Sequence, residues 1–264
     1  MTSALFDDVA AHYDETFTNT KIGKLQRARV WNYLISVLPN KPINILELNC
    51  GTGEDAIWFA KKGHTVLATD VSEKMVEVAR AKVEEFNLSD KISVKQLDIN
   101  EIDKVATTDN FDLVFSNFGG LNCLKDNDLS HLSDKIKILI KPDGKFIAVV
   151  MSDFCMIESI YFLLKLKPKD IFRRKKAQLV NINDSVVDTY YYHPKKFYEY
   201  FKNDFIINRI IAVGVFIPPS YLNNFFKRKV NTLKFLNKLE GSFGNHSIAA
   251  SISDHFLIDL NLRK

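Results

Sequence analysis

Two closely spaced glycines after an apolar run constrain this chain more than any other feature. Residues 45–48 form a mostly apolar run that predicts a buried strand, and Gly51 and Gly53 follow it directly, before a segment with the composition of a helix. Glycines at such a turn let the backbone approach a ligand closely. Asp70 ends the next predicted strand, where its carboxylate is placed to accept both hydroxyls of a ribose. The pattern predicts a site for a nucleoside-containing cofactor.

The charge around the glycines distinguishes between cofactors. The stretch from Gly51 to Ala56 formally matches the dinucleotide pattern of glycine, any residue, glycine, two of any, then glycine or alanine. A dinucleotide would place its pyrophosphate at the helix N-terminus, where unpaired amides favour an anion. Here Glu54 and Asp55 occupy the first turn of the helix, and Glu47 lies in the preceding strand. These carboxylates favour a cationic ligand over a pyrophosphate.

Several motifs follow one another in a fixed order along the chain. The first is the stretch 47–53, in which Asn49 stands where the corresponding motif usually has glycine; asparagine tolerates left-handed backbone better than other non-glycine residues. The others are Asp70, the segment 97–100, the strand-like segment 111–117 and the turn 141–146. In this order they resemble the motifs of class I S-adenosylmethionine-dependent methyltransferases. The resemblance covers residues 10–150 strongly and the remainder by architecture.

This resemblance implies S-adenosylmethionine as the cofactor and assigns residues to it. The methionine part would lie against the glycine turn, the ribose against the end of the second strand and the adenine against the end of the third. The residues implied are Tyr13, Glu47, Asn49, Gly51, Gly53, Asp70, Val71, Asp98, Ile99 and Asn117. Structural alternatives remain open for Asp98 as a helix N-cap, for Asn117 as part of an ordinary turn and for Glu47 as a buried strand residue.

The N-terminal segment and the end of the fourth strand supply candidates for a catalytic role. Tyr13 belongs to the segment 11–17, which resembles the tyrosine-bearing segment that closes over the cofactor in many small-molecule members of the family. Packing against Phe17 on a surface helix is the alternative. His12 is a candidate base because an imidazole exchanges protons near neutral pH. Asn117 is expected near the methyl group or the amino-acid end of the cofactor.

A second cluster of phenols ends at His193, which is a further catalytic candidate. Strand-like alternation would place Tyr190 and Tyr192 on one face and Tyr191 on the other, so at most part of the cluster faces a pocket. Structural packing is the alternative role for these residues.

Strand-like and helical segments alternate along the first part of the chain. Strands are predicted at 43–48, 65–69, 92–97, 111–116 and 145–151, with helices at 54–62, 72–87 and 126–140. Later strand-like segments at 186–192 and 205–213 are predicted to return to the sheet, and 255–262 to form its last strand. The predicted fold class is α/β, a Rossmann-like doubly wound, seven-stranded, mostly parallel sheet with an antiparallel last strand and helical lid inserts. Ligands then bind at the carboxyl ends of the strands.

Length and composition favour a single methyltransferase domain over 1–264. A chain of 264 residues, 46% of them apolar, can bury one sizeable core. We predict an N-terminal helical cap at 1–40, a cofactor-binding core at 41–151 and lid inserts at 152–185 and 218–250.

Charge and cysteine content limit the expected partners. The formal net charge of +4 is small for this length, so no nucleic-acid partner is predicted. The 3 cysteines lack metal-ligand spacing, and no basic-then-apolar leader begins the chain, so we expect a reduced, cytoplasmic protein without a bound metal. Both inserts combine apolar residues with lysine and arginine, which makes peripheral contact with an anionic membrane a hypothesis.

The predicted activity is methyl transfer from S-adenosylmethionine to a small, hydrophobic or aromatic acceptor, with oxygen as the acceptor atom. A hydrophobic acceptor pocket is expected from aromatic residues of the C-terminal part: Phe162, Phe172, Phe216, Phe225 and Phe226. Two alternatives stay open, a dinucleotide-dependent oxidoreductase on the same fold and a non-catalytic protein that binds S-adenosylmethionine.

Overall fold

A mixed sheet of seven strands carries the core of the protein. The computed structural model describes residues 6–105, 110–176, 178–182 and 185–264. Its strands are β1 (Asn44–Leu48), β2 (Thr65–Asp70), β3 (Ile92–Gln96), β4 (Phe111–Ser116), β5 (Ile140–Met151), β6 (Gln178–Ile182), β7 (Ser185–Thr189), β8 (Phe205–Val213) and β9 (His255–Leu262). The order across the main sheet is β3-β2-β1-β4-β5-β9-β8. Strand β9 runs antiparallel to both of its neighbours, β5 and β8, which confirms the predicted sheet.

The helices lie where the sequence pattern predicts them in the first part of the chain. They are α1 (Ala10–Tyr13), α2 (Lys21–Val37), α3 (Glu54–Lys61), α4 (Glu73–Glu85), α5 (Asp126–Leu139), α6 (Met156–Leu164), α7 (Pro194–Glu199), α8 (Asn223–Phe226), α9 (Val230–Phe243) and α10 (Ser247–Ala250). Helix α1 continues into a π-helical turn, Asp14–Thr18. Helix α4 begins after Ser72, whose Oγ accepts a hydrogen bond from the Met75 amide at 3.1 Å, as an N-cap does.

Helices cover both faces of the sheet. On one face α2, α3 and α4 contribute the buried side chains of Val30, Leu34, Phe59, Val76 and Val83. On the other face α5 and α7 contribute Leu129, Leu132, Ile136 and Phe197. Because the central strands are buried from both sides, their sequences are nearly continuous apolar runs rather than alternating ones. This is the doubly wound arrangement that the sequence predicts.

The segment 186–192 does not return to the main sheet, which corrects the prediction. Strand β7 pairs with β6 in a separate antiparallel pair. The edge of β5 that the segment would need is occupied by β9, in a register that sets Met151 opposite His255. Contact with β5 is reduced to an isolated bridge between Ser152 and Tyr192.

The predicted inserts contain more elements than the sequence pattern indicates. The second insert, predicted at 218–250, contains a 3-10 turn, Ser220–Leu222, followed by α8, α9 and α10. In the first insert, α6 and two 3-10 turns precede β6. Residues 1–5 of the predicted cap and residues 177, 183 and 184 of the predicted first insert lie outside the described ranges.

Strand direction determines which residues meet at the functional edge. The parallel strands β1 to β5 end at one edge of the sheet, and β9, being antiparallel, begins there. The residues after β1, β2 and β3 therefore lie near the residues that precede and begin β9.

Candidate active site

A cavity of about 700 Å³ opens at this edge of the sheet. One end is formed by the residues that follow β1, β2 and β3, and the other by the end of β5, the start of β9 and the C-terminal inserts. Of the predicted site residues, the cavity is lined by Tyr13, Asn49, Gly51, Asp70, Val71, Asp98 and Ile99. They meet because ligand sites of doubly wound sheets form at the carboxyl ends of the strands.

The turn after β1 has left-handed backbone at three positions. The φ angles are +48° at Asn49, +53° at Gly51 and +78° at Gly53. A Cβ on Gly53 would lie 3.1 Å from the Ala79 Cβ of α4, so glycine permits close packing of that helix. Asn49 tolerates the same conformation, as expected for asparagine. The turn thus forms despite its departure from the usual glycine.

The Asn49 side chain has a structural role that glycine could not supply. Its Nδ2 donates to the Asn117 carbonyl at 2.9 Å, and its Oδ1 accepts from Ser116 Oγ at 2.6 Å. The amide therefore ties the glycine turn to the end of β4. A Cβ on Gly120 would overlap this side chain.

Asp70 is a buried carboxylate that faces the cavity. Its Oδ2 accepts from the Gly51 amide at 2.8 Å and its Oδ1 from the Ser72 amide at 3.0 Å. Burial raises the pKa of Asp70, against the effect of these backbone donors. Each carboxylate oxygen accepts more than one hydrogen bond, so both oxygens retain capacity for a ligand's hydroxyl groups.

Tyr13 both packs against Phe17 and covers the glycine turn. The two ring centroids are 5.7 Å apart, across the π-helical turn. A Cβ on Gly51 would lie 3.9 Å from Tyr13 Cε1, so the phenol ring lies over this glycine. Burial raises the pKa of Tyr13 to about 12, which keeps the phenol neutral near pH 7. The ring is therefore suited to cover a ligand, not to act as a base.

Asp98 combines the two roles that the sequence leaves open. Its Oδ1 accepts from the Asn100 amide at 2.8 Å and so caps the 3-10 helix Ile99–Lys104. The residue also lines the cavity, next to Leu97 and Ile99. Capping fixes the side chain without removing it from the cavity wall.

Five predicted site residues, all within the described ranges, lie outside the cavity lining: His12, Glu47, Gly53, Asn117 and His193. His12 is exposed, with Nδ1 3.7 Å from Glu15. His193 is the N-cap of α7, and its Nδ1 accepts from the Lys195 amide at 3.2 Å. Neither imidazole lines the cavity.

A buried ion pair lies behind the glycine turn. Arg27 of α2 pairs with Asp55, which also accepts from Trp31 Nε1 at 2.6 Å and from Asn117 Nδ2 at 2.9 Å. Asn117 is therefore a structural partner of Asp55. Two side-chain oxygens here are buried and have no hydrogen-bond partner within the described part of the chain. They are Asn117 Oδ1 and Glu47 Oε2.

These features fit the cofactor that the motifs imply. The acidic surroundings of the glycine turn, with Asp70 on the cavity wall and Glu47 and Asp55 buried behind it, disfavour a pyrophosphate. The Asp70 oxygens suit ribose hydroxyls. Gly51 and Tyr13 both line the cavity beside Asp70.

Glu47→Gln is expected to stabilise the unliganded protein near neutral pH. Burial, with the Asp55 carboxylate beside it, raises the pKa of Glu47 well above its usual range. The native state therefore holds this proton more tightly than the unfolded state, and stability is lost as pH rises from the unfolded pKa through the raised folded pKa. Glutamine removes this loss.

The measurement is the thermal midpoint of both proteins as a function of pH. The variant should exceed wild type at pH 7, by about 2–4 °C for each kcal/mol gained, and converge with it near about pH 4. A variant less stable than wild type at pH 7 would contradict the assignment.

Sequence reasoning missed the residues at the other end of the cavity, which include Arg174, Tyr191, Asp254 and His255. Arg174 belongs to a basic run interpreted as part of a lid, yet it is only 5% exposed. Its guanidinium bonds to Glu158 Oε2 and to Asp254 Oδ1, both at 2.7 Å. The position of His255 at the start of the antiparallel last strand was the available signal, because that position lies at the functional edge.

The aromatic residues expected to form the acceptor pocket do not line the cavity. Among the described residues, apolar lining comes instead from Phe118, Met151, Tyr191, Pro219 and Tyr221. Phe172 and Phe225 are exposed. Tyr191 lies on the cavity side, while Tyr192 is buried in the core, as the predicted alternation requires.

A seven-stranded sheet of this order, with a glycine turn after β1 and a carboxylate at the end of β2, is the arrangement of class I S-adenosylmethionine-dependent methyltransferases. The chain resembles this class in fold and site. Residues 45–144 match the family described as a methyltransferase domain.

Two methyltransferases are similar in sequence to part of this chain. A demethylmenaquinone methyltransferase of Clavibacter sepedonicus is 32% identical over 145 residues, 55% of this chain and 56% of that protein. A tRNA 5-carboxymethoxyuridine methyltransferase of Escherichia coli (strain K12) is 33% identical over 91 residues, 33% of this chain and 34% of that protein. The chain thus matches between a third and just over half of the length of these relatives.

A solved structure shares the whole fold. An S-adenosylmethionine-dependent methyltransferase from Clostridium acetobutylicum ATCC 824 superposes with a TM-score of 0.60 at 14% identity, covering 98% of this chain and 99% of that one. At this identity the likeness concerns the fold alone.

Within the described ranges, each helix is too short or too polar to span a bilayer.

Proposed function

We propose that the protein transfers the methyl group of S-adenosylmethionine to a small, hydrophobic acceptor at an oxygen atom, leaving S-adenosylhomocysteine. The observation that carries this proposal is the single cavity, which joins the glycine turn and Asp70 to an apolar chamber around Phe118 and Met151. A shared cavity orients two reactants and excludes water. Orientation alone contributes up to roughly 7–11 kcal/mol in favourable cases.

Different residues would bind different parts of the cofactor. Asp70 would accept the ribose hydroxyls, and Asp98 with Ile99 would flank the adenine. Glu47, through its unpartnered oxygen, would accept a hydrogen bond from the amino group, and Tyr13 would cover the glycine turn. S-adenosylmethionine supplies a methyl group activated by a positively charged sulfur.

The two named relatives support different acceptors. The demethylmenaquinone methyltransferase supports a hydrophobic, ring-bearing small molecule, and its match covers the larger share of this chain. The tRNA methyltransferase makes RNA the competing acceptor, over a shorter match. The apolar chamber and the small net charge of +4 favour the small molecule.

The test is transfer of a radiolabelled methyl group from S-adenosylmethionine to three acceptor pools: phenols with naphthoquinols, fatty acids, and tRNA. We expect label in the organic extract of the phenol and quinol pool, and none from the Asp70→Ala variant. Label precipitated with tRNA would contradict a small-molecule acceptor. Absence of label from every pool would favour a non-catalytic, cofactor-binding protein.

We also propose that the first insert contacts anionic membranes. Leu164 at the end of α6 is 78% exposed and Leu166 is 88% exposed, and Leu163 and Phe172 are exposed nearby. Lysines 165, 167 and 169 interleave with these apolar side chains. Exposed apolar residues among lysines are typical of segments that lie on a membrane surface. Such contact suits an acceptor that dissolves in lipid.

Replacing Leu164 and Leu166 together with serine is expected to reduce liposome binding by roughly tenfold or more, since each leucine loses up to about 1.5–3 kcal/mol of burial. The measurement is flotation with vesicles of phosphatidylglycerol and phosphatidylcholine at low salt. Ile138→Ser is the matched control, because Ile138 is 72% exposed on α5. Wild-type protein that fails to float with these vesicles would contradict the proposal.

A further inference from the structure

The acceptor end of the cavity contains an aspartate and a histidine that are adjacent in sequence. His255 begins β9 opposite Met151 of β5, so the antiparallel strand brings both residues to the functional edge. Asp254 and His255 are buried, and both line the cavity. The mechanism derived from the motifs uses neither residue.

Asp254 is held in place from two directions. Gln26 Nε2 of α2 donates to its Oδ2 at 2.8 Å, and Arg174 Nη2 donates to its Oδ1 at 2.7 Å. Although burial opposes ionisation, His255 and Arg174 hold the pKa of Asp254 well below its usual range. A fixed anion thus lies beside the imidazole.

The imidazole of His255 lies beside this anion. Its Nδ1 is 3.2 Å from Asp254 Oδ2, at ion-pair distance, and is buried without a well-aligned hydrogen bond in the described part of the chain. The ring packs edge-on against Phe118, with centroids 5.3 Å apart, which restricts its rotation. Its Nε2 makes no hydrogen bond with the part of the chain that the structure describes. If the neutral ring carries its proton on Nδ1, the nitrogen nearer Asp254, its lone pair lies on Nε2.

Other side chains of the cavity wall are poorer bases near neutral pH. Burial raises the pKa of Tyr13 to about 12 and that of the Cys123 thiol to about 11, and it also raises the pKa of Tyr191. Those groups therefore hold their protons. The charged groups around His255 are Asp254, Arg174 bonded to Asp254, and Arg27, whose guanidinium lies 5.2 Å from the Phe118 ring centroid.

We propose that His255, positioned by Asp254, is the base that deprotonates the acceptor, and that the acceptor is a phenol or enol. This inference rests on the proposed methyl transfer. The acceptor's oxygen forms a bond to the methyl carbon while the carbon–sulfur bond breaks, and the electron pair of that bond stays on sulfur. The acceptor's proton moves to His255 Nε2 and then to water. Phenols and enols are acidic enough for an imidazole to accept this proton.

The experiment uses 4-nitrophenol as the acceptor probe, because its phenolate absorbs visible light and its phenol form does not. The probe is added to the complex of the full chain with S-adenosylhomocysteine, at a pH where the free probe is mostly neutral. We expect wild-type protein to raise the phenolate fraction. His255→Gln should lower the apparent ionisation constant of the bound probe by at least about tenfold. His131→Gln, an exposed histidine on α5, is the matched control and should behave as wild type.

Two further readouts separate the possible failures. Calorimetry should show equal binding of S-adenosylhomocysteine by wild type and His255→Gln; if wild type does not bind it, the proposed function fails together with the inference. If binding is intact but the probe is not ionised by wild type, or is ionised equally by His255→Gln, the inference alone is overturned. Nitrogen-15 NMR should find the neutral His255 ring protonated on Nδ1, and protonation on Nε2 would overturn the positioning role of Asp254.

Discussion

Asp70→Ala is expected to weaken the binding of S-adenosylhomocysteine by at least about 100-fold, measured by calorimetric titration. Hydrogen bonds to a charged group contribute about 1.5–3 kcal/mol each, and two ribose hydroxyls would lose their acceptor. About 1.4 kcal/mol corresponds to a tenfold change in affinity. The substitution also removes the acceptor for the Gly51 amide, which leaves the Cys50 amide, bonded to the Thr69 carbonyl at 2.8 Å, to link the glycine turn to the end of β2.

The matched control for this variant is Asp90→Ala. Asp90 is an exposed carboxylate in the turn before β3, and its removal should leave the affinity unchanged. Thermal unfolding of Asp70→Ala checks that the variant is folded at the titration temperature. Undiminished affinity in a folded Asp70→Ala protein would contradict the ribose site.

Arg27→Met should lower the free energy of unfolding by about 3–5 kcal/mol, measured by urea denaturation. Methionine keeps most of the apolar stem of Arg27 but leaves the Asp55 carboxylate buried without its cation. Trp31 and Asn117 would still donate to Asp55, yet neutral donors do not replace a charge in a buried site. Because Asp55 lies in the first turn of α3, the loss should also loosen the glycine turn.

Lys24→Met, on the exposed face of the same helix, is the matched control and should change stability little. The double variant Arg27→Met with Asp55→Asn should recover part of the lost stability, since no unpaired charge remains buried. A loss below about 1 kcal/mol in Arg27→Met would contradict the role of the ion pair.

Local sequence patterns were sufficient to predict which residues line the cofactor end of the cavity. The turn from Asn49 to Gly53 depends on glycine chemistry and on the residues next to it, and Ser72 caps its helix through neighbouring amides. Asp70 and Asp98 follow strands whose parallel order could be predicted from alternation. Proximity of these residues in space therefore follows from strand direction alone.

The acceptor end could not be predicted in the same way. Arg174 is buried because Glu158 and Asp254 compensate its charge, and Asp254 lies 80 positions further along the chain. A basic run in sequence gives no sign of such partners. His12 is exposed, and His193 accepts a capping bond at Nδ1, so the structure places both side chains away from the cavity.

For Glu47, the strand pattern predicts burial but not a contact with a ligand. The sequence places it correctly in a buried strand, and its burial beside Asp55 determines its protonation. Whether it contacts a ligand depends on a cofactor entering the site. Its role in binding therefore remains a proposal, tested by comparing Glu47→Gln and wild type in the titration used for Asp70→Ala.

The central claim is that the carboxylate-lined glycine turn holds S-adenosylmethionine and not a dinucleotide. The most direct test is calorimetric titration of the wild-type chain with S-adenosylmethionine and, separately, with NAD. Saturable binding of S-adenosylmethionine at a single site, with no binding of NAD, is the predicted result. Binding of NAD without binding of S-adenosylmethionine would contradict the claim and favour an oxidoreductase on the same fold.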